Sequence, residues 1–387
     1  ASYESWRNLN HNQNFEKYIS FQNKNIFKDV TMDFSIYVVN KNCPQVIKYD
    51  ELKLVKKNID WDGIRTFAEI KTNPNISIIL DTGKSLIPVR SDKTKFIVVE
   101  NKQDEQMFEI IGGKSEYKVR SGLGLLPKES RLFKVDSIDY ENKVAIIESL
   151  DSIRNKANTK IKINSDYLFP VLTTEDLSSG NIDLNNKQDY KYYTFLPYDY
   201  NSSNKKVFSP IELKVNLGDD FFNDYCLING NQLSIQSQGS DRLKQDENYG
   251  IQRIGTYVYN PNKVILRDNT KFVSSIITKD NFYDVDINKR VPLLNSHVSS
   301  ISERIVSHGK KPKTELINKN DAIFINAILN LPLVRKFIEN SNSIRGYELN
   351  DLGIYLPLFD DNNPYHQNII SMFHNDKKDK VIIKIKY

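Results

Sequence analysis

The sequence predicts an α+β protein, built from β-rich, curled antiparallel sheets with bracing helices toward the C-terminal end. Three observations predict it. Short apolar runs with strand character recur from about residue 76 to 172: "ISIIL", "KFIVVE", "MFEIIG", "RLFKVDSID", "KVAIIESL" and "YLFPVL". Polar turns separate these runs, as in antiparallel sheets. After Asn318 the pattern changes to helical spacing, in "NKNDAIFINAILN" and "LPLVRKFI".

Taken in order, "NIFKDVTMDFSIYVVNK" holds a strand over Asp33–Val39, with Phe34, Ile36 and Val38 on one face. No complete unit precedes it, so the chain reads as a piece of something longer. Helices are predicted over Tyr49–Lys57 and Trp61–Ile70, the second with Ile64, Phe67 and Ala68 at helical spacing. The polar stretch 178–190 is a plausible boundary, after which "YKYYTFLPYDY" opens a second β-rich part. Within that part, "RIGTYVYNPNKVILRDNTKFVSSII" (253–277) reads as three strands, with reversals at Asn260-Pro261-Asn262 and Asp268-Asn269-Thr270. Asn320 is the expected cap of the next helix, Pro332 starts another, and Asn363-Pro364 starts a third. The tail "KVIIKIKY" alternates like a closing strand. Four segments result: 1–58, 59–177, 178–317 and 318–387.

The 387 residues are 39% hydrophobic and 27% charged, a balance for folded domains. No apolar run is long enough for a membrane helix, and "ASYESWRNLNHNQ" lacks a signal-peptide plan. Cys43 and Cys226 cannot build a disulfide framework, which suits a reducing, cytoplasmic setting. The net charge of +5 permits a nucleic-acid partner without demanding one, because a local basic patch matters more than the total.

Enzyme signatures fail on inspection. "LDTGKS" and "IGGKS" have Ile78 and Phe108 where a phosphate-cradling loop needs glycine. The histidines are scattered, and His297 and His366 stand in polar surroundings. There is no nucleophile elbow and no dinucleotide fingerprint. The acidic "LGDDFFND" and "FDDNN" read as turns and helix caps. "NNPY" (362–365) comes near the loop with which amino-methyltransferases hold a flipped adenine, but Asn363 replaces its proline.

Several stretches, in order, carry a resemblance: "FEKYISFQNKNIFKDVTMDFSIYVVNK", "YKVRSGLGLLPKESRLFKV", "YLFPVLTTEDL", "RIGTYVYNPNKVILRDNTKFVSSII", "NSHVSSI", "AIFINAILNLPLVRKFI" and "LGIYLPLFDDNNPYHQNI". Together they resemble the C-terminal target-recognition region of bacterial adenine-specific DNA methyltransferases, of the combined restriction–modification or phage-exclusion (phage-defence) type. The glycine-rich cofactor loop and the Asn-Pro-Pro-Tyr loop are absent. The resemblance thus implies the non-catalytic, double-stranded-DNA-recognising part of such an enzyme, in a bacterial, nucleoid-associated setting. S-adenosylmethionine would be held by a catalytic domain or subunit outside this chain, with no cofactor, catalytic residue or metal of its own.

On that reading Arg, Lys, Asn and Ser side chains contact DNA while Tyr presses on sugar or base. The candidates are Arg120, Ser121 and Lys128 around a first glycine turn, then Arg242, Lys244, Tyr249, Arg253, Tyr257, Lys263, Arg267, Asn269 and Lys271. Lys310 and Lys311 belong to the densest basic run, "HGKKPK". Two alternatives remain open: a stand-alone specificity subunit that pairs with a separate methyltransferase, and a protein-binding scaffold with no DNA role.

Overall fold

A computed structural model describes residues 15–21, 35–39, 47–54, 63–89, 92–150, 160–177, 184, 189–198, 207–233, 249–267, 272–278, 290–308, 312–340 and 353–375. The fold is α+β, with curled mixed and antiparallel sheets. The chain forms two compact units. The first comprises residues 1–114, 336–343 and 353–355, and the second the remainder.

The first unit carries a five-stranded sheet of β1 (Phe15–Phe21), β2 (Ser35–Val39), β3 (Ile47–Leu54), β4 (Ile76–Val89) and β5 (Asp92–Val99), in the order β2-β1-β3-β4-β5. The local pattern predicts helix over Tyr49–Lys57, and Ile47–Leu54 is instead a strand. It pairs parallel to β1 and antiparallel to β4, and long-range pairing overrides local pattern. Helix α1 (Phe67–Thr72) starts on a capping box between Thr66 and Glu69. The reverse exchange occurs at "MFEIIG", expected as strand, which lies in helix α2 (Lys102–Ile111). Asn101 caps this helix by accepting the Asp104 N–H at 2.8 Å. Its buried residues, Asp104 and Phe108, lie one turn apart, and Phe108 meets the Phe337 ring edge-on at 5.3 Å.

The second unit contains two sheets. One has six strands: β7 (Phe133–Asp139), β8 (Val144–Ser149), β9 (Lys160–Asn164), β10 (Leu168–Leu172), β11 (Tyr192–Phe195) and β14 (Leu293–Leu294), in the order β14-β10-β11-β7-β8-β9. Strands from both sides of residues 178–190 therefore share one sheet, within one compact unit. The core against this sheet centres on Phe133, Phe195, Phe221 and Tyr225, whose rings contact one another at 5.0–6.3 Å. Helix α3 (Lys128–Arg131) leads into β7, and helix α4 (Pro210–Leu217) starts on a Ser209–Glu212 capping box.

The other sheet is organised by the long β15 (Val298–Ser307). β12 (Lys263–Arg267) pairs with its first half and β16 (Lys313–Leu316) with its second. β6 (Tyr117–Ser121) pairs with β15 as well, and β13 (Val273–Ile277) pairs with β12. The segment 253–277 thus supplies two strands instead of three. Its first part, Thr256–Tyr259, is a single helical turn. Asn260 then sets the reversal. Its amide donates to Ser302 O (3.0 Å) and Ile317 O (3.1 Å), and its side-chain oxygen accepts the Asn262 N–H.

Helix α5 (Lys319–Leu329) braces this sheet through contacts with β12 and β13. Its cap is Asn318, two residues before the expected Asn320, because Asp321 returns the bond to the Asn318 N–H and closes a capping box. Buried Asp321 also accepts the Tyr117 hydroxyl at 3.0 Å, and that hydroxyl accepts the Phe359 N–H at 2.8 Å. This ties β6 to the C-terminal helices, and burial raises the phenol's proton affinity. Helices α6 (Pro332–Asn340) and α7 (Pro364–Asn375) begin at the predicted prolines. The closing strand "KVIIKIKY" lies outside the described residues. Among the described residues no helix is long and apolar enough to cross a membrane.

Candidate nucleic-acid interface

β6 ends at Ser121, and Gly122 then passes against the β14–β15 connection. Its N–H donates to Val298 O at 2.8 Å. A Cβ built on Gly122 would sit 2.2 Å from Asn295 O and 2.6 Å from Leu294 O. Glycine is required here by close approach of two backbones.

Around this turn the fold gathers Arg120, Lys128, Arg253 and Tyr257, from segments more than a hundred residues apart in sequence. Arg120 Nε donates to Glu303 Oε2 at 2.6 Å, and its guanidinium lies 4.8 Å from the Tyr257 ring centroid. The Tyr257 hydroxyl donates to Arg253 O. Arg253 sits at φ 66°, in the left-handed region, and its Nη1 donates to Gly122 O at 3.4 Å. Lys128 is exposed at the start of α3. Lys128 and Arg253 both act on His297. Desolvation first, and these two positive charges next, hold the imidazole below its ordinary proton affinity. Ser121 is half-buried and lines a small cavity with Gly122, Tyr257 and Ser300. Among the described residues no carboxylate is ion-paired with Lys128 or Arg253, so their charge is available to a partner.

Other candidates are placed elsewhere. Lys263 is 1% exposed, so its side chain is not presented at the surface. Its ammonium donates to Val258 O at 2.9 Å, and burial lowers its pKa to about 7. The reason is β12 itself: Val264, Ile265 and Leu266 are all buried, so both faces of the strand are covered and its first residue goes inside with them. Arg267 is half-buried and donates to Leu177 O at 3.4 Å, a bond that ties strand to loop. Tyr249 packs half-buried against the core, and burial raises its phenol's proton affinity. Arg242, Lys244, Asn269, Lys271, Lys310 and Lys311 lie outside the described residues.

The buried amine gives a pH signature. An unfolded lysine titrates near about 10.4. From pH 7 upward to that value the unfolded chain holds a proton that the folded chain has shed, so stability rises with pH. Below about pH 7 both states hold the proton, and the folded state bears the full cost of a buried charge. Lys263→Met is expected to flatten this rise by roughly 2–4 kcal/mol between about pH 6.5 and 9.5, as read from urea midpoints.

Residue-type reasoning assigned no role here to four residues. Glu303 is buried and fixes Arg120, while Oε1 of the same carboxylate accepts the Thr314 hydroxyl at 2.7 Å. Gly122 seats the turn, and His297 stands beside the cations. Arg131 is fully buried and donates to Leu233 O (2.8 Å), Tyr249 O (3.1 Å) and Gly250 O (3.3 Å), with its guanidinium 5.5 Å from the Phe195 ring centroid. Burial lowers its pKa to about 10, which leaves it charged at neutral pH. Of the four, only the "RSG" turn had a local signal. Cys226 is buried, its thiol pushed up to about 12, so it is an inert core residue. No family model matches the chain, and no curated protein matches it in sequence.

Proposed function

We propose that this chain recognises double-stranded DNA for an adenine-specific methyltransferase of a restriction–modification or phage-defence system. The observation that carries the DNA part is the convergence of Arg120, Lys128, Arg253 and Tyr257 on the Gly122 turn, contributed by sequence-distant segments. Two cations with no carboxylate partner among the described residues, a braced arginine and an aromatic ring suit a phosphate backbone beside base edges. The methyltransferase assignment rests on the ordered sequence resemblance. Under it, S-adenosylmethionine and the base-flipping loop belong to a catalytic domain or separate subunit.

The direct test is fluorescence anisotropy of a labelled duplex against the full chain at increasing salt. Affinity is expected to fall by about three decades between 50 and 200 mM salt if six phosphates are touched. Lys128→Ala with Arg253→Ala is expected to weaken binding to every duplex and to reduce the salt slope by about two. Absence of binding at low salt, or affinity indifferent to salt, would refute the proposal.

One observation favours a protein-binding surface as the second reading. Ile211 and Val215, one turn apart on α4, are exposed, as are Leu227 and Ile228. Ile211→Glu with Val215→Glu should leave DNA affinity unchanged if DNA is the partner, and should abolish a salt-insensitive protein contact if it is not.

A further inference from the structure

We infer that Arg120 is a pre-set reader of guanine and that Glu303 is its positioning residue; this rests on the DNA-binding reading above. An arginine has five N–H donors, one on Nε and four on the two terminal nitrogens. In Arg120 the Nε–H is committed to Glu303 Oε2 at 2.6 Å. Glu303 cannot swing, because it is buried and its other oxygen accepts the Thr314 hydroxyl at 2.7 Å. The Tyr257 ring, 4.8 Å from the guanidinium carbon, limits the remaining rotation of the plane. Tyr257 is held in turn by its hydroxyl's bond to Arg253 O.

These contacts restrain the plane of the fork and leave its end unused. Among the described residues no acceptor meets Nη1 or Nη2, and the side chain is 31% exposed. Two parallel N–H groups match the paired O6 and N7 acceptors on the major-groove edge of guanine. Adenine offers an N6 amine where guanine has O6, so the same fork meets a donor there. A lysine at this place would keep the charge and lose the fork. Holding the guanidinium before DNA arrives reduces the ordering needed on binding, the purpose a buried carboxylate behind a surface arginine would serve.

The experiment is selection of bound duplexes from a randomised pool by the full chain, followed by affinity measurements on the selected sequence. The wild type is expected to select at least one invariant G·C pair. Arg120→Ala and Glu303→Gln are expected to lose the preference at that pair alone. Replacing its guanine with 7-deazaguanine should weaken wild-type binding roughly 10- to 100-fold, whereas inosine, which keeps O6 and N7, should bind within about twofold. The variants should bind the 7-deazaguanine and guanine duplexes alike. If Arg120→Ala selects the same sequence, or weakens all duplexes equally and lowers the salt slope by about one, Arg120 holds a phosphate and the inference fails. A wild type that binds duplexes with no guanine preference overturns this inference only. One that binds none at low salt overturns the DNA-binding reading with it.

Discussion

Arg131→Leu is expected to destabilise the chain by roughly 3–5 kcal/mol, visible as a lowered urea midpoint at pH 7. The substitution keeps an apolar stem and removes the guanidinium from a site with no solvent access. Three backbone carbonyls, of Leu233, Tyr249 and Gly250, lose their common donor. A buried carbonyl left without a partner costs about 1–3 kcal/mol, and neighbouring carbonyls cannot share a remedy when the space is filled by leucine. Arg131→Lys is expected to recover only a minor part, since one ammonium cannot span three acceptors served by a planar fork. Leu233 and Tyr249 flank residues 234–248, so one buried cation holds the chain on both sides of that segment. Limited proteolysis should therefore cut the Arg131→Leu chain at lower protease concentration than the wild type. An unchanged midpoint would mean that the three carbonyls find other donors.

Gly122→Ala is the second large effect, expected near 2–4 kcal/mol. The added methyl meets backbone, not a flexible side-chain end, at 2.2 and 2.6 Å, so two chain segments must separate. That separation pulls on the Gly122 N–H bond to Val298 and on the Leu123 N–H bond to Leu294 (2.7 Å). It also displaces the carbonyl that receives Arg253. DNA affinity is accordingly expected to fall by about tenfold or more at temperatures where the variant remains folded by circular dichroism. Gly63→Ala is the matched control. Its Cβ would meet nothing within 4 Å, and stability is expected to stay within about 0.5 kcal/mol of the wild type or rise slightly. Equal losses in both variants would trace the effect to glycine in general and not to the close approach at Gly122.

The candidate interface was partly legible in the sequence. Arg120, Ser121 and Gly122 stand together in "RSG", and Arg253 and Tyr257 stand in a stretch rich in turn residues. Lys263 illustrates the failure. In "NPNKVILR" it reads as the cation after a turn, yet three consecutive apolar residues already indicated a strand covered on both faces. Arg267, four residues on, reads equally well as a DNA contact, and its guanidinium is engaged with the Leu177 carbonyl. Nothing local separates these two from Arg253. What separates them is whether another part of the fold covers the side chain.

The sequence by itself determined the α+β class, the starts of α6 and α7 at Pro332 and Pro364, and most of the strands from β4 to β10. These are properties of period, capping and turn chemistry, which act over a few residues. Only the tertiary structure decided that Ile47–Leu54 is a strand, that "MFEIIG" is helical, and that Arg120 lies across from Ser300 and bonded to Glu303. It also decided that one arginine, Arg131, belongs to the core while another, Arg253, is exposed. The physical reason is range. Strand pairing and the burial of a charge are set by groups a hundred or more residues away, and their energies exceed the local preferences that a sequence displays.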